Sequence, residues 1–302
     1  MTYSIVGLDV SLWDGPWMSR QQILTRMAKR HRVVYSRGAW FTWNRFTPLW
    51  NEAPWTTAFE DRDGVRLHRR SKLLMRVPRI PALDRAAVRR VAHRLGREAG
   101  FDESRPRIAY VFHPSMYPYA KALDADLLVY HAYDQFAAYP GSPERDRELE
   151  KELVQDADIV IAMSNLIGES LRRYADRPIE IVPNGADFSQ FGTLENGELP
   201  PGLQAVPAPR IAYFGNLSEK VDIALLERIA RARPDVSMVL VGGERLNRPE
   251  SKAVFESALA LPNVYWLGHK DYAEVPRYMH HMDANLLAYR VGEGLWSEAC
   301  SP

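Results

Sequence analysis

Short apolar runs along the chain alternate with segments whose apolar residues recur at helical spacing, the pattern of a parallel sheet covered by helices. Ser4–Val10 predicts a first strand, and the loop "SLWDGPW" leads into a helix over Ser19–Lys29 with Ile23, Leu24, Met27 and Ala28 on one face. Arg32–Tyr35 and Val65–His68 predict further strands. The stretch between them, "WFTWNRFTPLWNEAPW", has no period. It reads either as an apolar loop packed on the sheet or as an exposed recognition surface. A helix over Leu83–Ala99 precedes the strand "RIAYVF", which ends at His113-Pro114, and the strand "DLLVYHAY" ends at Asp134. A charged helix over Arg145–Gln155 turns Leu149, Leu153 and Val154 inward. "ADIVIAMS" then runs into an amphipathic helix, and "IEIVPNGAD" closes this half. These elements predict one doubly wound domain over residues 1–186.

Residues 187–209 change character, rich in Gly, Pro, Asn and Glu, and read as an interdomain linker. A second alternation occupies 210–302, with strands "RIAYFG", "VSMVLVGG", "NVYWLG" and "ANLLAY" separated by helices near Val221–Ala232, Glu250–Leu261 and Tyr272–His281. Only these strands fit before the chain stops, so the second domain is expected to be incomplete. The length of 302 residues suits two domains.

A formal net charge of +1 argues against nucleic-acid binding through bulk charge. Basic residues do cluster between Arg62 and Arg107. They suit a solvated helix face, or else a surface toward anionic lipid or a phosphorylated substrate. The single cysteine permits no internal disulfide and fits a reducing compartment. No apolar run approaches the roughly 20 residues needed to span a bilayer, and the N-terminus lacks the pattern of a secretory signal. The expectation is a cytoplasmic protein with peripheral membrane contact.

No Gly-x-Gly-x-x-Gly, Walker lysine loop or Gly-x-Ser-x-Gly elbow is present, and no ligand set has zinc spacing. Two sheet domains joined by a linker remain. In such sheets ligands bind at the carboxyl ends of strands, so a phosphorylated ligand between the domains is expected.

Taken together the motifs resemble nucleotide-sugar glycosyltransferases of the GT-B fold, in the large group 1 (family 4-like) of bacterial glycan and exopolysaccharide synthesis. "WDGPWMSRQQILTRMAKRHRVVY" is similar to the opening loop and first helix of that family. "IVPNGADFSQF" is similar to its hinge motif, and "YFGNLSEKVDIALLERIA", "VLVGG" and "LPNVYWLGHKDYAEVPRYMHHMDANLLAYR" follow in family order. The resemblance implies an α/β fold of two Rossmann-like domains facing a cleft. It also implies a nucleotide-diphosphate sugar as donor substrate with no cofactor, and a glycan or lipid-linked acceptor.

Residue roles follow from the resemblance. Asp14 and Gly15 lie in the loop that faces the donor diphosphate or the acceptor, although Gly15 equally suits a tight turn. Gly215, Asn216 and Lys220 fall where the family neutralises the diphosphate; Lys220 keeps the cation, whereas Asn216 replaces an arginine with an uncharged amide. Gly242 and Gly243 suit a loop passing close to the nucleotide or an ordinary strand-end turn. His113 stands where relatives set a histidine against the donor sugar, and could also be a satisfied strand-end histidine. Asp134 would be the base of an inverting reaction; in the retaining reaction expected of the family it orients the acceptor. Ser164 reads more readily as a helix N-cap than as a ligand.

One family element has no counterpart. The Glu-x7-Glu motif that follows the last strand is missing, because only Glu293 and Glu298 remain after Tyr289. The same spacing at Glu52/Glu60, Glu144/Glu152 and Glu219/Glu227 falls in the wrong context. Hence a C-terminally truncated or non-catalytic GT-B-like protein stands as the alternative to an active transferase. A sugar-nucleotide epimerase of the same fold is less well matched, since the motifs follow transferase order.

Overall fold

The computed structural model describes residues 1–15, 17–101, 104–136, 143–186, 188–191 and 197–291. Asp187 of the hinge motif and the tail with Glu293 and Glu298 lie outside the described residues. The chain divides into two units, the first Met1–Asn184 and the second beginning at Gly185. The division falls inside the Pro183-Asn184-Gly185 motif.

In the first unit the strands are β1 (Ser4–Leu8), β2 (Arg32–Ser36), β3 (Trp40–Phe41), β4 (Ala58–Arg62), β5 (Val65–Arg69), β6 (Met75–Arg76), β7 (Arg107–Val111), β8 (Leu127–Ala132), β9 (Ile159–Ala162) and β10 (Glu180–Ile181). The main sheet has eight strands in the order β10-β9-β8-β7-β1-β2-β5-β4. Every pairing in it is parallel except β4 with β5. The helices are α1 (Ser19–Ala28), α2 (Pro48–Asn51), α3 (Pro81–Ala99), α4 (Tyr117–Leu123), α5 (Glu144–Asp156) and α6 (Asn165–Arg172).

Period-two alternation splits the strand side chains between two cores. Val6 and Leu8 of β1 join Val88, Val91 and Leu95 of α3 on one face, whereas Ile5 joins Leu24 of α1 and Trp13 on the other. Burial on both faces is what a parallel sheet requires.

The pattern of the sequence hides two features. It predicts no strand at β4. That strand pairs with β5 through a turn in which Asp63 (φ 55°) and Gly64 (φ 78°) both adopt positive φ. This is the Asp-Gly chemistry of a tight hairpin. The aromatic stretch divides between both readings offered for it. Trp40 is 5% exposed and packs edge-on to Trp50, while Trp43, Phe46 and Trp55 are exposed at 61%, 89% and 69%. Pairing of β3 with β6 ties it down, and Arg76 of β6 is held in turn by a buried ion pair with Asp84 in the first turn of α3 (Nε to Oδ1, 2.9 Å).

The second unit contains β11 (Arg210–Phe214), β12 (Leu217–Ser218), β13 (Ser237–Val241), β14 (Glu244–Arg245), β15 (Val264–Trp266) and β16 (Ala284–Leu286), with α7 (Phe188–Phe191), α8 (Ile223–Ala232), α9 (Pro249–Leu259) and α10 (Val275–His280). Its sheet is four-stranded and parallel, ordered β15-β13-β11-β16. The predicted linker is partly built into this unit. Leu203 and Val206 are buried with Tyr278, whose hydroxyl donates to the Pro201 carbonyl at 3.0 Å. The last strand ends earlier than its apolar run suggests. Beyond Leu286 the chain turns to cover the start of α8, with Asp222 N donating to Ala288 O and Arg290 N to Lys220 O, each at 2.9 Å.

Two histidines, His131 buried and His68 half-buried, make the first unit sensitive to acid. Burial lowers the pKa of His68 from 6.5 to about 3 and that of His131 to about 4. Each ring keeps a hydroxyl partner, Ser36 at 2.8 Å and Tyr110 at 2.9 Å. The unfolded chain therefore binds more protons below pH 6.5, and stability falls as pH drops from there toward 4. For each histidine the loss between pH 7.5 and 5 is on the order of 2 kcal/mol. Urea unfolding at the two pH values should show the loss, and His131→Gln should reduce it by about that amount; an unchanged pH dependence in the variant would contradict the assignment.

Candidate functional site

Both main sheets reverse their winding direction beside a central strand. In the first unit the switch lies between β1 and β7, in the second between β11 and β16. Carboxyl ends of strands at such points form the ligand crevice of open α/β sheets.

In the first unit the residue after β1 is Asp9, fully buried, with Arg20 of α1 set against it (Nε to Oδ2, 3.2 Å). The Tyr133 hydroxyl, after β8, donates to Asp9 Oδ1 at 3.4 Å, and the Tyr35 hydroxyl donates to Ser11 O at 2.6 Å. Burial, reinforced by the Asp9 charge, raises both phenols well above the ordinary tyrosine range. They act here as neutral hydrogen-bond donors.

His113 follows β7 and packs against Phe136, ring centroids 4.5 Å apart. The Ser115 amide donates to its Nδ1 at 3.2 Å. That bond makes Nδ1 the acceptor and leaves the ring proton on Nε2. Burial lowers its pKa and outweighs the opposing pull of Asp9. The imidazole is thus a neutral Nε2–H donor, suited to a sugar hydroxyl. Asp134 lies two residues beyond β8 and accepts from its neighbour's amide, Gln135 N, at 2.9 Å. His113 and Asp134 therefore leave adjacent strands on the same sheet edge.

The other expected residues of this unit have protein contacts of their own. The loop with Asp14 and Gly15 is pinned to the β4–β5 hairpin. Trp13 Nε1 donates to Asp63 at 3.1 Å, and Asp14 pairs with Arg62 at the surface. A Cβ on Gly15 would stand 3.3 Å from the Leu12 carbonyl, a feature of a tight turn. Ser164 caps α6, accepting from Ile167 N at 3.3 Å.

In the second unit Gly215 follows β11 and Gly242 follows β13, and the two strand ends meet back to back. Gly215 N donates to Val241 O at 2.9 Å, and Gly242 N donates to Gly268 O at 2.8 Å. A Cβ on Gly242 would lie 1.9 Å from the Gly215 carbonyl oxygen, and its φ is 149°. Both the contact and the dihedral favour a residue without a side chain. Gly243 and Asn216 sit beside this junction, Leu217 N donating to Gly243 O at 2.9 Å. Lys220 places its ammonium 5.0 Å over the Tyr289 ring, with no carboxylate in ion-pair range among the described residues. Gly215, Asn216, Lys220, Gly242 and Gly243 thus share one strand-end edge.

Sequence reasoning missed Asp9, Arg20, Arg37, Arg70 and Tyr133 in the first unit and Glu219 in the second. Asp9, Arg37 and Arg70 each directly follow a strand, a positional signal present in the sequence. Glu219 accepts from the amides of Asn247 (2.8 Å) and Arg248 (3.0 Å) and from Ser251 Oγ (2.7 Å), holding the start of α9. Those hydrogen bonds outweigh its desolvation and lower its pKa. Among the described residues no group of three or more His, Cys, Asp or Glu is placed to hold a metal ion.

No protein-family model matches the chain. It is 25% identical over 147 residues to the protein named as the teichuronic acid biosynthesis glycosyltransferase TuaH of Bacillus subtilis, a match covering 48% of this chain and 36% of that protein. Among solved structures it is similar to sucrose-phosphate synthase of Thermosynechococcus elongatus, with TM-score 0.63 and 16% identity over 96% of this chain and 77% of that one. It is similar also to Anabaena HepE, solved with UDP and glucose, with TM-score 0.62 and 15% identity over 97% and 76% of the two chains. The chain has the GT-B fold. Within this GT-B chain the paired glycine strand ends are a packing requirement. Gly242→Ala should cost the second unit more than about 3 kcal/mol in urea unfolding. A Cβ on Gly243 would stand 3.4 Å from Asn216 Oδ1, an ordinary contact. Gly243→Ala should therefore cost within about 1 kcal/mol. Equal losses would refute the back-to-back constraint.

Proposed function

We propose that the chain is a glycosyltransferase polypeptide that moves a sugar from a nucleoside diphosphate to a glycan or lipid-linked acceptor. The observation that carries this reading is the second unit's strand-end edge, where Gly215 and Gly243 leave backbone without side chains beside the buried Gly242 and the chain runs on through β12 to Lys220, two residues beyond that strand. Backbone without side chains together with a cation on the same edge would suit a diphosphate, and such a cation stabilises the charge that the leaving diphosphate gains. In the first unit the neutral His113 would donate from Nε2 to a hydroxyl of the donor sugar, and Asp134 would orient the acceptor in a retaining transfer. Asn216 supplies hydrogen bonds without charge, which leaves Lys220 as the main electrostatic element of this edge.

A cytoplasmic site of action with peripheral membrane contact belongs to the same reading. Among the described residues no helix is long and apolar enough to cross a membrane. The exposed Trp55 and Leu73 stand beside Lys72, whose ammonium lies 5.3 Å over the Trp55 ring, and Trp43 and Phe46 of the same aromatic stretch are exposed too. Apolar rings mixed with a cation suit an anionic lipid surface.

Calorimetry of the full chain with uridine, guanosine and adenosine diphosphates tests the donor site. One of them should bind, and Lys220→Ala should weaken it by about tenfold to a hundredfold, the worth of a charge-assisted hydrogen bond. No binding to any of the three would favour the non-catalytic alternative. In the same preparation, vesicles containing anionic lipid should co-sediment the chain and neutral vesicles should not; equal recovery would remove the membrane part.

A further inference from the structure

Two guanidinium groups in the first unit have no role in the transfer as proposed. Strands β2 and β5 are parallel neighbours, and Ser36 Oγ and His68 Nδ1, 2.8 Å apart, keep them joined at their carboxyl ends. Arg37 and Arg70 are the first residues beyond these strands. Both are half-buried, and both are fixed. Arg37 Nε donates to Val10 O at 2.7 Å. The Arg70 guanidinium lies 3.4 Å over the ring of the buried Trp40, whose indole N–H donates back to the Arg70 carbonyl at 3.2 Å. A side chain stacked this way is an ordered wall of the edge, unlike a mobile surface arginine.

Neither arginine has a carboxylate partner among the described residues, and no side-chain donor of Arg70 meets a protein acceptor there. Asp9, the carboxylate whose charge reaches Arg37, is held by Arg20. Burial lowers the pKa of both groups, and repulsion from Arg37 adds to burial in bringing Arg70 to about 9. Two cations held near each other in a partly dry site, with donors unfilled, are stabilised by an anion that bridges them. The planar fork of arginine matches the two oxygens of a carboxylate or phosphate.

We propose that Arg37 and Arg70 form an anion subsite at the carboxyl edge of the first unit, taking the phosphate or carboxylate of an acidic acceptor sugar. The word "acceptor" rests on the transferase reading, but the binding does not require turnover.

The test is equilibrium binding of the full chain to glucose 6-phosphate, glucuronate and glucose at low salt. At least one acidic sugar should bind about tenfold or more tightly than glucose, as expected for charge-assisted hydrogen bonds. Preference for one of the two assigns the anion as phosphate or carboxylate. Arg37→Gln with Arg70→Gln should abolish the preference while leaving nucleoside diphosphate affinity unchanged. Arg37→Gln alone leaves the Arg70–Trp40 stack intact and should lose at least about threefold, which keeps the test valid if the double variant does not fold. Equal binding of acidic and neutral sugars, or a preference that survives both substitutions, would overturn the proposal. Loss of nucleoside diphosphate binding alone would overturn the transferase reading and leave this one standing.

Discussion

Parallel pairing is the constraint on which the rest of this structure depends. Strands that all run the same way must be joined by crossovers, so every strand in the core of each sheet ends on one edge. That single rule brings Asp9, Arg37, Arg70, His113, Tyr133 and Asp134 to one edge of the first unit although they span much of its sequence. In the second unit it brings Gly215 and Gly242 into contact. Antiparallel pairing appears in the first sheet only at β4, beyond the last strand that contributes to the edge.

The two edges differ in chemistry. In the first unit side chains dominate: a buried carboxylate paired with Arg20, with arginines, hydrogen-bonded phenols and a neutral imidazole around it. In the second, the edge is made of backbone: two glycines pressed together, short strands β12 and β14 paired beyond them, and Lys220 two residues past β12, its ammonium over the Tyr289 ring. A site rich in oriented donors suits a hydroxylated or acidic sugar, and a bare backbone edge with one cation suits a diphosphate.

The alternation of apolar runs made the core strands legible, because strands buried on both faces are apolar without interruption and have few alternative placements. Hairpin strand β4 was not legible, since Ala58–Arg62 is charged and half-exposed; its signal was the Asp63-Gly64 pair alone. Helix α4 was obscured by Pro118 in its first turn, and the linker by prolines that nonetheless bury Leu203 and Val206 between them. Of the candidate site, the glycines and His113 could be named from motif and position. Asp9 and Arg20 were not, because a buried ion pair between a strand end and a helix has no local spacing. The spacing Glu219/Glu227, set aside as out of context, belongs to the helix packing: Glu219 holds the start of α9 and Glu227 accepts from Ser257 at 2.7 Å.

The central claim is that the strand-end edge of the second unit holds a nucleoside diphosphate. Hydrogen exchange of the full chain with and without the diphosphate that binds tests it residue by residue. The account predicts slowed exchange confined to the amides of 215–222 and 242–247. Protection that leaves these amides unchanged and falls on the first unit would contradict it.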